Sequence, residues 1–362
     1  MKKKIIFRVD SSSIIGLGHL IRCITLANVF KKNNFDIEFI SSNLKVNKNF
    51  KIKKNDFKLN IIKKNNNKID KNNDKKWLGS SIKKDLEQTI SILKKINKIR
   101  CVNLLIVDHY SLGYEWEKKI KTYCEKILVI DDYHDRNHQC DFFVNPTLPL
   151  VSSKLIKKNT FFLNGPKYII LRDQFRIFRK KIINRNPQIK NIPKKILIIM
   201  GSSENLDFLN FIINSIYELN YNFNFVLVTK LNNNLLKNKF KKINNIKVLT
   251  NIDNIAYEMY NADILICSAS TVLWEAASLG IPTIAIKTEK NQKHNLDFSN
   301  KFKISVSIKN YKIMSKKSFQ KKFFNLVSDF KLRLKMSRNM IKIVDTHGSK
   351  RIVDVIKKNI LT

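Results

Sequence analysis

Two doubly wound α/β domains, one after the other, are the fold that this 362-residue sequence predicts. Short apolar runs of strand length alternate with helix-like segments along most of the chain, a pattern typical of parallel sheets covered by helices. The alternation stops near the middle, in an Asn/Lys-rich run containing Pro187 and Pro193, and then starts again. The length is sufficient for two separate hydrophobic cores.

The bulk composition is that of a globular protein without a membrane anchor. Hydrophobic residues make up 43% and aromatic residues 10% of the chain, and no apolar run approaches the roughly 20 residues that a membrane helix requires. The N-terminus is basic, but the apolar run behind it ends at Arg8, which is too early for a signal-peptide core. We therefore expect a cytoplasmic protein with no membrane span.

A strong positive charge raises the question of nucleic-acid binding. The chain has 69 Lys and Arg against 29 Asp and Glu, a net charge of +40. The lysines are spread along the whole chain together with abundant Asn and Ile, which indicates a compositional bias and no specific nucleic-acid partner. A non-catalytic nucleic-acid binder remains an alternative; it predicts strongly salt-dependent RNA binding. The charge would also attract an anionic ligand.

The cysteines and histidines offer no metal site. Five cysteines are odd in number and widely spaced, mostly inside apolar segments, which favours reduced, buried thiols. No Cys-x-x-Cys motif or His-rich cluster occurs. We expect neither a metal nor an organic cofactor.

A glycine loop near the N-terminus is the first candidate site. The predicted strand at 4–10 is followed by Gly16, Gly18 and His19, and then by a predicted helix at 19–30. In a chain with only eight glycines, this clustering indicates a tight turn or a close ligand approach. The loop would bring backbone amides and the helix N-terminus toward an anionic or polar ligand, with His19 aimed at it. A plain turn with a capping histidine is the alternative.

Polar residues follow successive apolar runs in the rest of the first half. Further strands are predicted at 36–41, 58–62, 104–107, 126–130 and 141–144, and helices at 80–98 and 113–123; most of 43–77 is interpreted as surface loop. Asp108-His109-Tyr110, Asp131-Asp132 and Asn145 come directly after three of these strands. Because ligands of parallel sheets gather at the carboxyl ends of strands, these residues are expected to converge on one edge.

The second half repeats this alternation. Strands are predicted at 195–200, 223–228, 246–249, 262–267, 283–286 and 304–308, and helices at 204–219, 254–260, 271–279, 292–302, near 319–344 and at 350–360. The domains expected are 1–183, which contains the glycine loop, a linker at 184–195, a nucleotide-binding domain at 196–345 and a C-terminal helix at 346–362; the family resemblance described below implies that 1–183 is the sugar-site and catalytic domain. Two such Rossmann-like domains with an interdomain cleft form a GT-B-like arrangement.

The second half contains its own candidate nucleotide site. A predicted strand leads into Ser268-Ala269-Ser270-Thr271 and a helix N-terminus, which would suit a diphosphate, and Glu275 could accept hydrogen bonds from ribose hydroxyls. An N-capped helix with an exposed Glu is an equal alternative. Gly201-Ser202-Ser203 follows the first strand of this half, as the glycine loop does in the first. Asn291-Gln292 offers amides for acetamido or hydroxyl groups, or is simply a polar loop.

Taken together, these motifs resemble a known family of sugar-nucleotide hydrolases. The family is the UDP-2,4-diacetamido-2,4,6-trideoxy-β-L-altropyranose hydrolase of pseudaminic acid biosynthesis, which is related to the spore-coat polysaccharide protein SpsG. The resemblance covers essentially the whole chain. It rests on Arg8-Val-Asp10-Ser11-Ser, Gly16-x-Gly18-His19-x-x-Arg22, Asp108-His109-Tyr110, Ile130-Asp131-Asp132, Leu171-Arg172-x-x-Phe175, Ser270-Thr271-x-x-x-Glu275, Asn291-Gln292 and the tail His347-Gly348-Ser349-x-Arg351-Ile352-Val353.

The resemblance implies a metal-independent GT-B hydrolase that releases UDP and the free sugar, with His19 as the main catalytic residue and UDP chiefly in the C-terminal domain. Substrate contacts are then expected at Arg8, Ser11, Gly16, Gly18, Arg22, Asp108, His109, Tyr110, Asp131, Asn291 and Gln292. Nucleotide contacts are expected at Gly201, Ser202, Ser203, Ser268, Ala269, Ser270, Thr271 and Glu275. The family usually has two glycines where this chain has Gly201-Ser202, and a glycine in place of Ala269; each added side chain would narrow the close approach of a phosphate there.

The expected mechanism is attack of water at the anomeric carbon with inversion, with neutral His19 as general base and Asp10 as the residue that orients it. Structural roles at the sheet edge are the alternative for Asp108, His109 and Tyr110. The Thr271-x-x-x-Glu275 element is shared with MurG-like glycosyltransferases, so a UDP-sugar glycosyltransferase is the alternative function. The polar 43–77 region favours water over a lipid acceptor. A monomer is expected.

Overall fold

The computed structural model of the chain describes residues 2–12, 14–44, 49–63, 69, 73, 76–133, 135–146, 159–185, 189–199, 206–217, 223–229, 245–250 and 252–360. Contacts divide the chain into two compact units, the first formed by residues 1–170 and 347–362 and the second by residues 171–346. Each unit contains one parallel sheet.

The first unit is a parallel sheet with helices on both faces. Its strands are β1 (Lys4–Val9), β2 (Asp36–Ser42), β3 (Lys58–Ile62), β4 (Val102–Asp108), β5 (Lys126–Ile130), β6 (Phe142–Asn145) and β7 (Phe161–Asn164). Its helices are α1 (Gly18–Lys32), α2 (Phe50–Lys54), α3 (Ile82–Asn97), α4 (Tyr114–Ile120) and α12 (Gly348–Ile360). The strand order is β3-β2-β1-β4-β5-β6-β7, so the direction of winding reverses between β1 and β4. In doubly wound sheets this switch point is where ligands bind.

Alternation along the strands builds a core on each face of this sheet. On β1, Phe7 packs into a cluster with α1, whereas the neighbouring Ile6 packs into a second cluster under α3 and α4. Successive strand residues point to opposite faces, and β1 is buried along its whole length. The continuous apolar strand therefore follows from helix cover on both sides.

The C-terminal helix α12 completes the core of the first unit. Ile352, Val353 and Ile356 are fully buried in the same cluster as α1. The helix begins at Gly348, where an added Cβ would lie 2.1 Å from the carbonyl oxygen of Ile169. Only glycine permits that close approach of two backbones.

The second unit has the same architecture. Its strands are β8 (Lys195–Ile199), β9 (Asn224–Val228), β10 (Ile246–Leu249), β11 (Ile264–Ser268), β12 (Thr283–Ile286) and β13 (Val306–Ile308), in the order β10-β9-β8-β11-β12-β13. Its helices are α5 (Asp173–Arg185), α6 (Leu206–Tyr217), α7 (Ile255–Tyr260), α8 (Thr271–Leu279), α9 (Lys293–Lys301), α10 (Lys316–Ser328) and α11 (Phe330–Ile343). The winding reverses between β8 and β11.

The predicted fold class, two Rossmann-like α/β domains, is confirmed by these two parallel sheets, but the contacts divide the chain at different places. Residues 173–183, which the sequence placed in the first domain, belong to helix α5, whose Phe175 and Phe178 lie in the core of the second unit. Helix α12, expected as a separate terminal element, belongs to the first unit. Three elements in the described part of the chain were missed, namely α2, α5 and β7. On β7, Phe161 is 50% exposed, so this edge strand lacks the buried pattern of a central one.

The cysteines are all free; four are buried and Cys101 is exposed. No helix in the described part of the chain is both long enough and apolar enough to cross a membrane.

Replacing Gly348 with Ala is expected to lower the free energy of unfolding by about 1–3 kcal/mol, because the new methyl group would meet fixed backbone atoms of Ile169. Urea unfolding monitored by circular dichroism measures the change. Gly18→Ala is the matched control, since a Cβ at that position meets no atom of the described residues within 4 Å. An equal loss of stability in the two variants would contradict the steric argument.

Candidate active site

The loop between β1 and α1 lies at the switch point of the first sheet. Gly16 has φ 82°, a conformation that favours glycine, and its N–H donates to the Ser12 carbonyl at 2.9 Å. The Ser12 hydroxyl accepts from the N–H groups of Ile14 and Ile15. The turn is thus closed by its own hydrogen bonds. Gly18 starts α1, and the open space beside it leaves room at the helix N-terminus.

His19, in the first turn of α1, is held by Asp108 at the end of β4. Its Nδ1 lies 2.6 Å from Asp108 Oδ1, and its side chain is 10% exposed. An ionised carboxylate only accepts hydrogen bonds, so Nδ1 carries the hydrogen. No described residue forms a hydrogen bond with Nε2, which in a neutral ring is then the basic nitrogen. The expectation that Asp10 orients His19 was wrong: the orienting carboxylate is Asp108.

Arg22, one turn further along α1, binds the same carboxylate. Its Nε donates to Asp108 Oδ2 at 2.6 Å, and a second guanidinium nitrogen donates to Oδ1 at 2.7 Å. Burial alone would raise the pKa of Asp108, but the Arg22 cation and the His19 ring outweigh it and hold that pKa well below its usual range. Arg22 also donates to Asp132 at 2.6 Å. Asp108 therefore remains ionised beneath His19.

Aromatic rings surround the imidazole of His19. The Tyr110 ring lies edge-to-face with it at 4.5 Å between centroids, and Trp77 lies edge-to-face at 6.2 Å. The Tyr110 hydroxyl donates to Asp132 at 2.7 Å; burial, followed by the Asp132 charge, raises the pKa of Tyr110 well above its ordinary value. Tyr133 packs edge-to-face on Tyr110 at 4.7 Å. The side of His19 that faces Tyr110 and Trp77 is therefore aromatic, with a neutral phenol.

A second buried network lies at the start of the loop. The Arg8 guanidinium forms ion pairs with Asp10 and Asp85, and the Ser42 N–H and hydroxyl both donate to Asp10. His109 Nε2 lies 3.3 Å from Asp10. The side chains of Arg8, Asp10 and Asp85 are completely buried.

This burial corrects several of the expected substrate contacts. Arg8, Asp10 and Ser11 are at most 1% exposed, so they support the loop from below and do not present atoms to a ligand. Asp108 and His109 are also buried, which agrees with the alternative that these residues have structural roles at the edge of the sheet. Tyr110 is enclosed as well, at 3% exposed, so its ring supports His19. Gly18, with open space beside it, and the His19 ring, 10% exposed, are the more accessible parts of this site.

Asp131 takes a structural place as well. Its side chain accepts from the Tyr133 N–H, from His138 Nε2 and from Arg136, and it is 1% exposed. The other ring nitrogen of His138 lies 2.7 Å from Glu117. The expected substrate contact at Asp131 is therefore corrected: its neighbour Asp132 is the residue that reaches Arg22 and Tyr110.

In the second unit, the predicted helix N-terminus and glutamate lie at the end of β11. Ser270 is the N-cap of α8, with its hydroxyl accepting from the Val272 N–H, and Thr271 is exposed. Glu275 is 8% exposed and accepts from Arg172 at 2.6 Å. The exposed-Glu alternative is thus excluded.

Ala269 is enclosed and not open to a nucleotide. It is 0% exposed and packs with Leu273, Ala285 and Leu296; its N–H donates to Ile286, and its carbonyl accepts from Asn295. The expected phosphate contact at Ala269 is corrected, because both of its backbone groups are already bonded. Ser268 is 1% exposed, and its hydroxyl lies 3.0 Å from that of Ser270.

The two predicted amides differ in their environments. Gln292 is buried and accepts from the Thr288 N–H at 2.9 Å, so it shapes the loop after β12. Asn291 keeps a buried Oδ1 with no hydrogen-bond partner among the described residues, as a ligand-binding acceptor would. Gly201, Ser202 and Ser203 lie outside the described residues.

The structure places four residues in these networks that were not among the predicted catalytic or binding residues: Trp77, Asp132, Arg172 and His138. Asp132 and Arg172 stand inside the quoted motifs, so pairing each basic residue with an acidic one could have found them. Trp77 was assigned to a polar surface loop, and a lone tryptophan in such a loop was the available signal. His138 carries no local signal.

Residues 175–354 match the model of the glycosyltransferase family 28 C-terminal domain. The chain is 31% identical over 313 residues to an uncharacterized protein of Methanocaldococcus jannaschii, covering 81% of this chain and 57% of that relative. This chain thus spans less than two thirds of that protein. It is also 28% identical over 297 residues to the UDP-2,4-diacetamido-2,4,6-trideoxy-beta-L-altropyranose hydrolase of Campylobacter jejuni, covering 80% of this chain and 93% of the relative.

Among solved structures, MurG of Acinetobacter baumannii aligns with a TM-score of 0.71 over 98% of this chain and 99% of that chain, at 15% identity. This likeness shows the fold, the two parallel-sheet α/β domains found in GT-B proteins. The chain is therefore homologous to a sugar-nucleotide hydrolase and shares its fold with MurG.

The buried His138 makes stability depend on pH. Burial lowers its pKa, but Glu117 and Asp131 outweigh burial and raise the pKa from 6.5 to about 9. A raised folded-state pKa contributes stability that is fully present below pH 6.5 and is lost as the pH rises through about 9. His138→Gln is thus expected to be less stable than wild type by up to roughly 3 kcal/mol near pH 6, with the difference shrinking toward pH 10. Urea unfolding at several pH values measures this; a difference independent of pH would contradict it.

Proposed function

We propose that this protein hydrolyses a UDP-linked 2,4-diacetamido-2,4,6-trideoxy sugar to UDP and the free sugar, as a step of pseudaminic acid or related nonulosonate biosynthesis. The observation that carries the proposal is the His19–Asp108 pair at the switch point of the first sheet, 2.6 Å apart. Its support is twofold: the geometry is that of an oriented base, and the chain is homologous to the Campylobacter hydrolase.

The pair supplies the chemistry that hydrolysis needs. Asp108 accepts from Nδ1, so Nε2 of neutral His19 takes a proton from water while the water oxygen bonds to the anomeric carbon. The bond from that carbon to the UDP oxygen breaks, and its electron pair leaves with UDP. Attack opposite the leaving group inverts the anomeric configuration. The charge that develops on the imidazole is stabilised by the adjacent Asp108 carboxylate.

Helix N-termini provide the positive potential for an anionic substrate. Among the described residues, no side chain caps the N-terminus of helix α1, so its first N–H groups can donate to a ligand beside Gly18. Because UDP is already a good leaving group, positioning and charge stabilisation are the main tasks of the protein. The net charge of +40 favours the approach of such a substrate.

The second unit supplies the nucleotide contacts of the proposal. Thr271 lies at the N-terminus of α8, where a diphosphate is stabilised by the helix dipole. Arg172 holds one oxygen of Glu275, which leaves the other to accept from ribose hydroxyls. The Oδ1 of Asn291, which has no hydrogen-bond partner among the described residues, fits an N–H donor of the substrate.

A UDP-sugar glycosyltransferase of the MurG type is the second candidate. It is favoured by the match of residues 175–354 to the glycosyltransferase family 28 C-terminal domain. The matched residues include Thr271 and Glu275. Such an enzyme would use the same base to activate an acceptor hydroxyl in place of water.

The two candidates separate in one assay. Purified protein is incubated with a panel of UDP-sugars without acceptor and without added metal, and UDP release and the first-formed anomer are followed by NMR. Hydrolysis predicts rapid UDP release and an inverted free sugar from the diacetamido trideoxy substrate. Release that needs an added acceptor would support the transferase.

Removing the base or its partner should stop turnover. His19→Asn and Asp108→Asn are each expected to lower kcat by about 10²–10⁴-fold, since the first removes the proton acceptor and the second its orienting charge. UDP affinity, measured by calorimetry, should stay within about threefold, because neither side chain holds the nucleotide in this proposal.

Asp56→Asn is the matched control for the carboxylate change, since the Asp56 side chain is 95% exposed and pairs with Lys31, which does not contact His19. Its kcat should equal that of wild type. Near-normal turnover by His19→Asn would rule out its role as base.

A further inference from the structure

Residues 131–133 and 135–141, between β5 and β6, are held by local hydrogen bonds and ion pairs. The Asp131 side chain accepts from the N–H of Tyr133 at 2.8 Å, the bond of an Asx turn. Arg136 then folds back to pair with the same carboxylate at 2.9 Å. The Asn137 carbonyl accepts from the N–H of Tyr114 at the start of α4. The turn is thus attached to its own strand and to α4.

His138 closes this turn by bridging two carboxylates. Its Nδ1 lies 2.7 Å from Glu117 on α4, and its Nε2 lies 2.9 Å from Asp131 at the end of β5. Carboxylate oxygens accept, so both ring nitrogens donate and the ring is an imidazolium. The side chain is 2% exposed, so water does not compete for these bonds.

The groups facing His138 favour the charged form. Glu117 and Asp131 are its acidic neighbours, and Glu117 is itself held by the N–H of Gln139 at 2.6 Å. Arg136 shares Asp131, and the Phe143 ring packs at 5.4 Å between centroids. The Cys140 thiol nearby stays neutral, since burial raises its pKa well above the ordinary value. The positive and negative charges of the cluster balance while His138 is protonated.

The turn carries the residues that hold the site around His19. Asp132 accepts from Arg22 and from the Tyr110 hydroxyl. Tyr133 packs on the Tyr110 ring, and the Arg136 guanidinium lies over that ring at 5.7 Å. Tyr110 in turn packs on the His19 imidazole at 4.5 Å. A continuous set of contacts therefore runs from His138 to the proposed base.

We propose that protonated His138 is a positioning residue: it holds the turn that carries Asp132, Tyr133 and Arg136, and so fixes Tyr110 and Arg22 around His19. Loss of its proton leaves two carboxylates facing a ring that can donate only once, and the turn loosens. The kcat measurements below rest on the proposed UDP-sugar hydrolysis. The contacts of the turn and their coupling to His19 do not depend on that function.

The first test is the pH profile of kcat with the diacetamido trideoxy UDP-sugar. Wild type should lose kcat as the pH rises through about 9, with KM little changed. Glu117→Gln keeps the imidazole but removes one carboxylate, so this limb should move to lower pH by about one unit. His138→Gln should have kcat lowered about 10- to 100-fold at pH 7 and should lack the limb.

Glu125→Gln is the control, because it removes an exposed carboxylate before the start of β5 and should leave the profile of wild type. A basic limb that stays in place in Glu117→Gln, or a His138→Gln variant with wild-type kcat and profile, would overturn the proposal.

The second test needs no substrate. The ring signals of His19 and His138 are followed by ¹H–¹³C NMR from pH 6 to 10 in wild type and Glu117→Gln. The His19 signal should show an inflection at the pH where His138 titrates. In Glu117→Gln, this inflection and the His138 titration should move to lower pH together. A His19 signal without that inflection would overturn the positioning role. If UDP-sugars are not hydrolysed while the inflection is present, the proposed function fails and the positioning inference stands.

Discussion

The buried carboxylate of Asp108 is the interaction on which the site depends. A carboxylate removed from water costs several kcal/mol unless it is paired and hydrogen-bonded. Arg22 occupies both of its oxygens and His19 one of them, so the charge is neutralised within the first two turns of α1. The same bonds fix the hydrogen of His19 on Nδ1. One ion pair thus sets the orientation of the helix and the chemistry of its histidine.

Asp108 can do this because of the strand order. The first sheet runs β3-β2-β1-β4 and onward, so the end of β4 lies beside the end of β1, where α1 begins. Helices that follow β1 and β4 cover opposite faces of such a sheet, and the carboxyl ends at the reversal are left open. The site occupies that opening, with two buried networks, Arg8–Asp10–Asp85 and Asp131–His138–Glu117, on its two sides.

These networks explain why several polar motif residues do not face a ligand. In each, positive and negative groups alternate, and every carboxylate named there accepts from at least one charged donor. Such charge-assisted bonds are strong in a buried setting. The motif residues near the loop therefore fall into two groups. Some are placed to touch a ligand, and the others are buried and hold the ligand-facing residues in place. Burial makes that division: Arg8 is 0% exposed, whereas Gly18 has open space beside it.

The sequence by itself determined the kind and order of most elements, because apolar runs and helical spacing are local properties. It also determined the turn at Gly16 and the place of His19 behind it. Only the tertiary structure decided which carboxylate meets His19, since Asp10 and Asp108 both follow strands and Asp108 is 89 residues away. It likewise decided that Asp132, and not Asp131, reaches Arg22, because the side to which each residue points depends on packing. It also placed α5 with the second unit, because the sheet on which a helix packs is not a local property of the sequence.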